Sequence, residues 1–238
     1  MKDHNIFYVP HSFFAEEEVV IKGAQFSHIN NVLRKKRGDI ISLSDGRGHR
    51  YEVELGAAAR SEVHARIIHK ELVPKKHTMH ITLGFVPVKG SRNDTVVEKG
   101  TELGVARFII FASERSVLKD VGKQKIARFQ RLAQSAMIQS QQYYMPEIIY
   151  APNIAHMLQI DTMYDCIVVA DPSGRASVTT DVRKILLLIG PEGGLTEEEV
   201  LQATQKGLTA IRLGPRVLRT ETAGPAVLAG LQLRWGDW

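Results

Sequence analysis

Three short runs, DCIVVAD (165–171), KILLLIG (184–190) and AIRLG (210–214), are apolar at nearly every interior position. A strand apolar on both faces must be covered on both faces, which confines it to a sheet flanked by helices. HITLGFV (80–86) and RFIIFAS (107–113) read as strands too. Helical patterns separate them: DTVVEKGTELGV (94–105), closed by Gly104, and KQKIARFQRLAQSAMIQSQQ (123–142), with Ile126, Phe129, Ala133 and Ala136 on one face. This alternation predicts an α/β fold built on a parallel sheet.

Residues 1–72 follow another pattern. NIFYVP, EEVVIKG, GDIISLSDG, YEVELG and EVHARIIHKEL are short, partly alternating runs, and SDGRG (44–48) sets an Asp-Gly hairpin turn between two of them. One helical stretch interrupts, QFSHINNVLRKKRGD (25–39). It spaces Phe26, Ile29, Val32 and Leu33 helically and ends in four basic residues before Gly38. Several strands and one helix predict a small β-barrel. VPKKHT (73–78) reads as a linker, so the chain divides into domains at 1–72 and 73–238.

The chain of 238 residues is 44% hydrophobic, enough to bury a core without a disulfide or metal staple. Its single cysteine, Cys166, excludes an internal disulfide and a multi-cysteine zinc site, and its apolar run marks it as an inert core thiol. His77 and His80 form H-x-x-H but lack further ligands, so no metal is expected. Without a signal-like apolar stretch or a membrane-length run, the expected location is cytoplasmic and no membrane partner is expected. A net charge of +5 favours a polyanionic partner without proving one.

Two corners carry the functional signal. GPEGG (190–194) follows the run Ile185–Ile189, at the strand end where open α/β sheets place ligands. Its glycines allow close backbone approach, Pro191 stiffens the turn, and Thr196 with Glu199 forms a T-x-x-E capping box for the next helix. The alternative is a plain strand-to-helix turn. IRLGPRVLRTET (211–222) repeats Gly-Pro after another apolar run, and two such corners on adjacent strands would face each other across one cleft. Neither is a P-loop or a G-x-G-x-x-G dinucleotide turn, and the chain has no G-x-S-x-G elbow and no H-E-x-x-H. Arg34, Lys35, Lys36 and Arg37 are candidate phosphate contacts or simply a solvated helix end.

LLIGPEGGLTEEE and LGPRVLRTETA resemble the signature motifs of the ribosomal RNA small subunit methyltransferase E family, SPOUT-class enzymes that methylate N3 of a uridine in 16S ribosomal RNA. VLRKKRGDIISLSDG (32–46), EKGTELGV (98–105), SERSVLK (113–119) and, in part, QS and PEI (139–140, 146–148) extend the resemblance over most of the chain. It implies an N-terminal PUA-like RNA-binding barrel and a C-terminal SPOUT α/β domain whose segments around 185–222 form a deep trefoil knot. It also implies a homodimer, S-adenosyl-L-methionine as methyl donor, and 16S ribosomal RNA or the small ribosomal subunit as partner.

On this reading Leu188, Ile189, Gly190, Pro191, Glu192, Gly193 and Gly194 line the cofactor site with Leu213, Gly214, Val217 and Leu218. Transfer to a weakly acidic imide needs help with the N3 proton. Arg219 is the candidate anion stabiliser, with Arg216 second, and Glu221 and Glu192 are candidate bases if burial raises their pKa. Glu192 equally suits a helix N-terminus, and Arg219 equally suits a loop tie or an RNA phosphate. Lys89 and Arg92 match a basic family element and join the RNA-contact candidates. Ile138, Gln142 and Tyr144 depart from the charged residues common in the family, and Tyr143 and Tyr144 could stack on unpaired bases instead. That departure keeps open a SPOUT enzyme acting on another RNA or on a ribose 2′-OH, and a non-catalytic RNA-binding ribosome-assembly protein. Pro225 places the start of the last helix close to Thr222.

Overall fold

A computed structural model describes residues 5–75, 79–116, 121–161, 163–171, 174 and 182–236. Two compact units emerge: Met1–Lys75 with Met137–Met145, and Lys76–Ala136 with Pro146–Trp238.

The first unit holds β1 (Ile6–Tyr8), β2 (Glu18–Lys22), β3 (Ile40–Ser44), β4 (His49–Ala58) and β5 (Glu62–Leu72), ordered β1-β3-β4-β5-β2. The β1–β3 pair is parallel and the other pairs are antiparallel. Alternation sends Tyr51, Val53 and Leu55 of β4 inward. They meet Phe7, Ile21, Leu43 and Val63, so all five strands close over one core. The Asp-Gly turn is held by its own aspartate, as such turns commonly are: Asp45 is buried and accepts hydrogen bonds from the Arg47 amide (2.8 Å) and the His49 amide (3.2 Å). Burial opposes the Asp45 charge, but hydrogen bonds from the Arg47 amide and from the His49 ring and amide outweigh it and lower its pKa.

The helix between β2 and β3 is shorter than its sequence pattern predicts. α1 (Gly23–Ser27) runs into a single π-helical turn, His28–Val32, and stops. Arg34 takes a left-handed conformation (φ 53°), and the Lys35 amide bonds back to the Ile29 carbonyl at 3.1 Å. This closes the end much as a Schellman cap does, so Arg34–Arg37 lie on the following loop rather than on a helical turn.

Residues 137–145 join this unit by main-chain pairing. The Gly48 amide donates to the Tyr143 carbonyl and the Met145 amide to the Gly46 carbonyl, each at 2.8 Å. The Tyr144 ring lies where a Gly48 Cβ would be, 2.3 Å away, so only glycine fits there. Its hydroxyl donates to the Val73 carbonyl at 2.8 Å.

The second unit contains β6 (His80–Phe85), β7 (Val105–Phe111), β8 (Glu147–Ala151), β9 (Cys166–Ala170), β10 (Lys184–Ile189) and β11 (Leu208–Ile211). Every pair is parallel, in the order β11-β9-β10-β6-β7-β8. Ile185–Leu188 are fully buried, as two-sided apolar strands require. The helices are α2 (Arg92–Glu102), α3 (Lys123–Gln139), α4 (Ile154–Ile160), α5 (Glu197–Thr204) and α6 (Thr220–Trp235), with the last turn of α3 falling in the first unit. Gly104 (φ 80°) ends α2 as expected.

Two expectations need correction. The strands before the two Gly-Pro corners are not neighbours, because β9 lies between β10 and β11. α6 also starts at Thr220, ahead of Thr222, which puts Pro225 at its sixth position. Cys166 is half-buried, and burial pushes its thiol pKa up. Among the described residues no helix is long and apolar enough to cross a membrane, and no cluster of three potential metal ligands occurs. His77 lies outside them.

Candidate functional site

The central strands β10 and β6 end in register, Ile189 beside Phe85, and the chain leaves both at the carboxyl edge of the sheet. Between these exits lies a cleft of about 170 Å³, walled by Pro87–Lys89, Arg92, Arg115, Ser116 and Pro191–Gly193. Asn93 fixes one wall: its side chain accepts from the Val88 amide (2.8 Å) and donates to the Val86 carbonyl (3.4 Å). Lys125 reaches the Val88 carbonyl at 3.2 Å, and burial lowers its pKa.

The opposite wall is the first Gly-Pro corner. Gly194 takes φ 71° and returns its amide to the Pro191 carbonyl at 2.9 Å, a conformation that favours glycine. Arg115 Nη1 donates to the carbonyls of Gly193 (2.9 Å) and Leu195 (3.2 Å). Thr196 caps α5 with the reciprocal Glu199 contact that the T-x-x-E spacing predicts. Glu199 does more than cap. Its 5%-exposed carboxylate accepts from the Thr196 amide (2.8 Å), the Ser113 hydroxyl (2.9 Å) and the Glu114 amide (3.0 Å). One buried charge thus pins the end of β7 to the start of α5, with every short bond charge-assisted.

The second corner is built differently. Gly214 takes φ 151°, and its carbonyl accepts from Arg212 Nε at 3.0 Å. From Pro215 to Leu218 the main chain makes no hydrogen bond among the described residues. Val217 is 81% exposed and Leu213 also projects outward. Arg219 occupies the N-cap of α6 with its side chain 80% exposed, and Arg216 is exposed. The Glu221 side chain is mostly buried, with Oε1 3.9 Å from Arg219 Nη1. Its Oε2 is buried and has no hydrogen-bond partner among the described residues. The first turn of α6 reaches the end of β10, where a Cβ on Gly224 would stand 3.8 Å from Ile189.

The sequence-predicted residues therefore fall into three groups. Gly190 through Gly194 form the first corner over a floor of buried Leu188 and Ile189, and Lys89 and Arg92 join that corner at the cleft. Glu192 is 60% exposed and ion-paired with Arg92, so the burial expected of a base is absent there. Leu213, Gly214, Val217 and Leu218 belong to the second corner and do not wall the cleft. Arg34–Arg37 are in the other unit, where Lys35, Lys36 and Arg37 border a separate hollow of about 240 Å³. Sequence reasoning missed Arg115, Ser113 and the long-range role of Glu199. The run SERSVLK marked the first two, but nothing in its spacing pointed to partners at 193–199.

Residues 75–232 match the family described as an RNA methyltransferase domain, and residues 21–68 match an RNA methyltransferase PUA domain. A ribosomal RNA small subunit methyltransferase E of Bacillus subtilis is 31% identical over 217 residues, covering 85% of each chain. The solved enzyme of that name from Neisseria gonorrhoeae, bound to S-adenosylmethionine, is 29% identical with a TM-score of 0.85, covering 98% of this chain and 99% of that one. A Legionella pneumophila methyltransferase in complex with the same cofactor superposes with a TM-score of 0.87 at 25% identity, covering 98% of both chains.

Proposed function

Because the chain belongs to the ribosomal RNA small subunit methyltransferase E family, an S-adenosyl-L-methionine-dependent class of ribosomal RNA methyltransferases, we propose that it methylates N3 of a uridine in 16S ribosomal RNA. The observation that carries this reading is a fastened, glycine-lined corner at the carboxyl edge of the sheet, together with a second corner whose main-chain groups from Pro215 to Leu218 make no hydrogen bond among the described residues. Such groups can bind the adenine and methionine moieties of the cofactor without specialised side chains, and the unpartnered Glu221 oxygen leaves a polar group for a substrate.

The bound cofactor supplies an electrophilic methyl group on its sulfonium. The chain must align N3 with that methyl and dispose of the N3 proton, so that an N–C bond forms as the S–C bond breaks. In this reading the exposed Arg219 guanidinium favours the imide anion at O2 or O4. Glu221 is the better candidate base of the two carboxylates, because it is the more buried and lies beside Arg219. Glu192 is held on the rim by Arg92, and with Lys89 this group faces the RNA backbone. The reading extends to a cytoplasmic homodimer whose C-terminal segment is knotted; of these, β10 inserting between β9 and β6 is consistent with the knot alone. Tyr144 spends its hydroxyl on Val73, so its departure from the family pattern is met by packing within the first unit and gives no support to a different RNA target.

The test incubates the protein with labelled S-adenosylmethionine and either 30S subunits or bare 16S RNA from cells lacking the enzyme. Label in 3-methyluridine after digestion is the expected result. Label in another nucleoside would overturn the N3 assignment, and label in neither RNA would overturn the small-subunit substrate.

A further inference from the structure

The hollow in the first unit has an apolar floor and a cationic rim. Phe26, Ile29, Leu55 and Val63 line its base, all buried members of the barrel core, while Lys36 and Arg37 stand at its edge. Neither cation has a side-chain partner among the described residues. By contrast, Arg50 is committed to Glu52 and Glu71, and Arg66 to Glu54. A rim of uncommitted positive charge matches a polyanion.

The local backbone departs from regularity on two sides of the hollow. The π-helical turn at His28–Val32 and the left-handed Arg34 carry the basic loop. Opposite, the β4–β5 ladder slips in register between Leu55 and Ala58. π-turns and bulges open space beside regular elements and concentrate at functional positions. At about 240 Å³ the hollow offers the room of roughly eight waters at about 30 Å³ each, which suits a planar heterocycle better than an ion.

We propose that this hollow receives one unpaired nucleobase of the RNA, with its neighbouring phosphates on Lys36 and Arg37. The inference rests on the reading of RNA as the substrate and adds to it a single-stranded element recognised outside the methyl-transfer site. A base inserted edge-first meets apolar side chains and the Phe26 ring, whereas duplex RNA keeps its bases stacked inside and offers the rim phosphate alone. The inference therefore requires that the barrel prefer single strands.

The experiment measures binding of a fluorescein-labelled 12-nucleotide RNA of mixed sequence to the full chain, single-stranded and annealed to its complement. Ala58→Phe fills the hollow from an exposed wall position without changing charge. It should weaken single-strand binding about tenfold, the scale of stacking one base, and leave the salt dependence intact. Lys36→Ala with Arg37→Ala should instead reduce the slope of log affinity against log salt by about 0.7 for each phosphate no longer neutralised. Asn30→Trp, from the facing wall, repeats the filling test should Ala58→Phe unfold on a thermal scan. Unchanged single-strand affinity in a folded filling variant would overturn the proposal, as would equal affinity for the duplex. Methylation of 30S subunits by the unaltered chain is measured in parallel. Its absence would sink the substrate reading, while loss of single-strand preference with methylation intact would sink the hollow alone.

Discussion

The two corners start from the same Gly-Pro dipeptide after an apolar run and end in opposite conditions. At 190–194 the turn is fastened from outside, by Arg115 on two carbonyls and by Glu199 on the end of β7. At 214–218 the same dipeptide leads into a stretch, 215–218, whose main chain makes no hydrogen bond among the described residues. The difference teaches that Gly-Pro specifies a corner but not its rigidity, which comes from residues far away in sequence. The first corner is held in place before anything binds, so if the second takes part in binding as proposed, the ordering cost falls on it.

The largest expected effect breaks the chemistry at the second corner. Arg219→Ala should lower kcat for RNA methylation by about 10²–10³-fold while leaving the cofactor dissociation constant within about twofold, because in the proposed mechanism its guanidinium serves the developing anion. Equal loss in cofactor binding would reassign Arg219 to a loop tie. Next comes Glu199→Ala, which removes the acceptor of the Ser113 hydroxyl and of the Thr196 and Glu114 amides at the first corner. Denaturant unfolding should show a loss of about 2–3 kcal/mol, and a loss below about 0.5 kcal/mol would mean that the pin is not needed. Arg115→Ala should be gentler, raising the cofactor dissociation constant about tenfold by calorimetry with little change in stability, since it holds only loop carbonyls. Smallest of all, Val217→Ser should change unfolding free energy by less than about 0.5 kcal/mol, as befits a side chain 81% exposed. A larger change would show that the second corner is packed after all.

What was legible in the sequence was what short-range physics decides. The T-x-x-E cap, the Asp-Gly turn and the two-sided strands DCIVVAD and KILLLIG depend on residues within a few positions of one another and stand where their patterns placed them. AIRLG, by contrast, overlaps only the end of β11 (Leu208–Ile211), a half-buried strand at the sheet edge. Strand neighbours were another matter, since nothing in IRLGP says that β9 separates its strand from β10. The hydrogen bonds of Glu199 cross more than eighty positions, so its capping role hid its pinning role. The end of the N-terminal helix was missed for a local reason. Helical spacing continues through Leu33, but a left-handed Arg34, rather than the expected glycine, stops it.

The stretch 137–145 carries a consequence for how the chain is made. The Gly48 amide and the Gly46 carbonyl meet their main-chain partners in Tyr143 and Met145, which are translated long after the last barrel strand. During synthesis the turn that Asp45 shapes therefore waits with an open edge while β6, α2 and β7 are being added. A protein cut at residue 75 would leave that edge bare, exposed to any other strand in search of a neighbour.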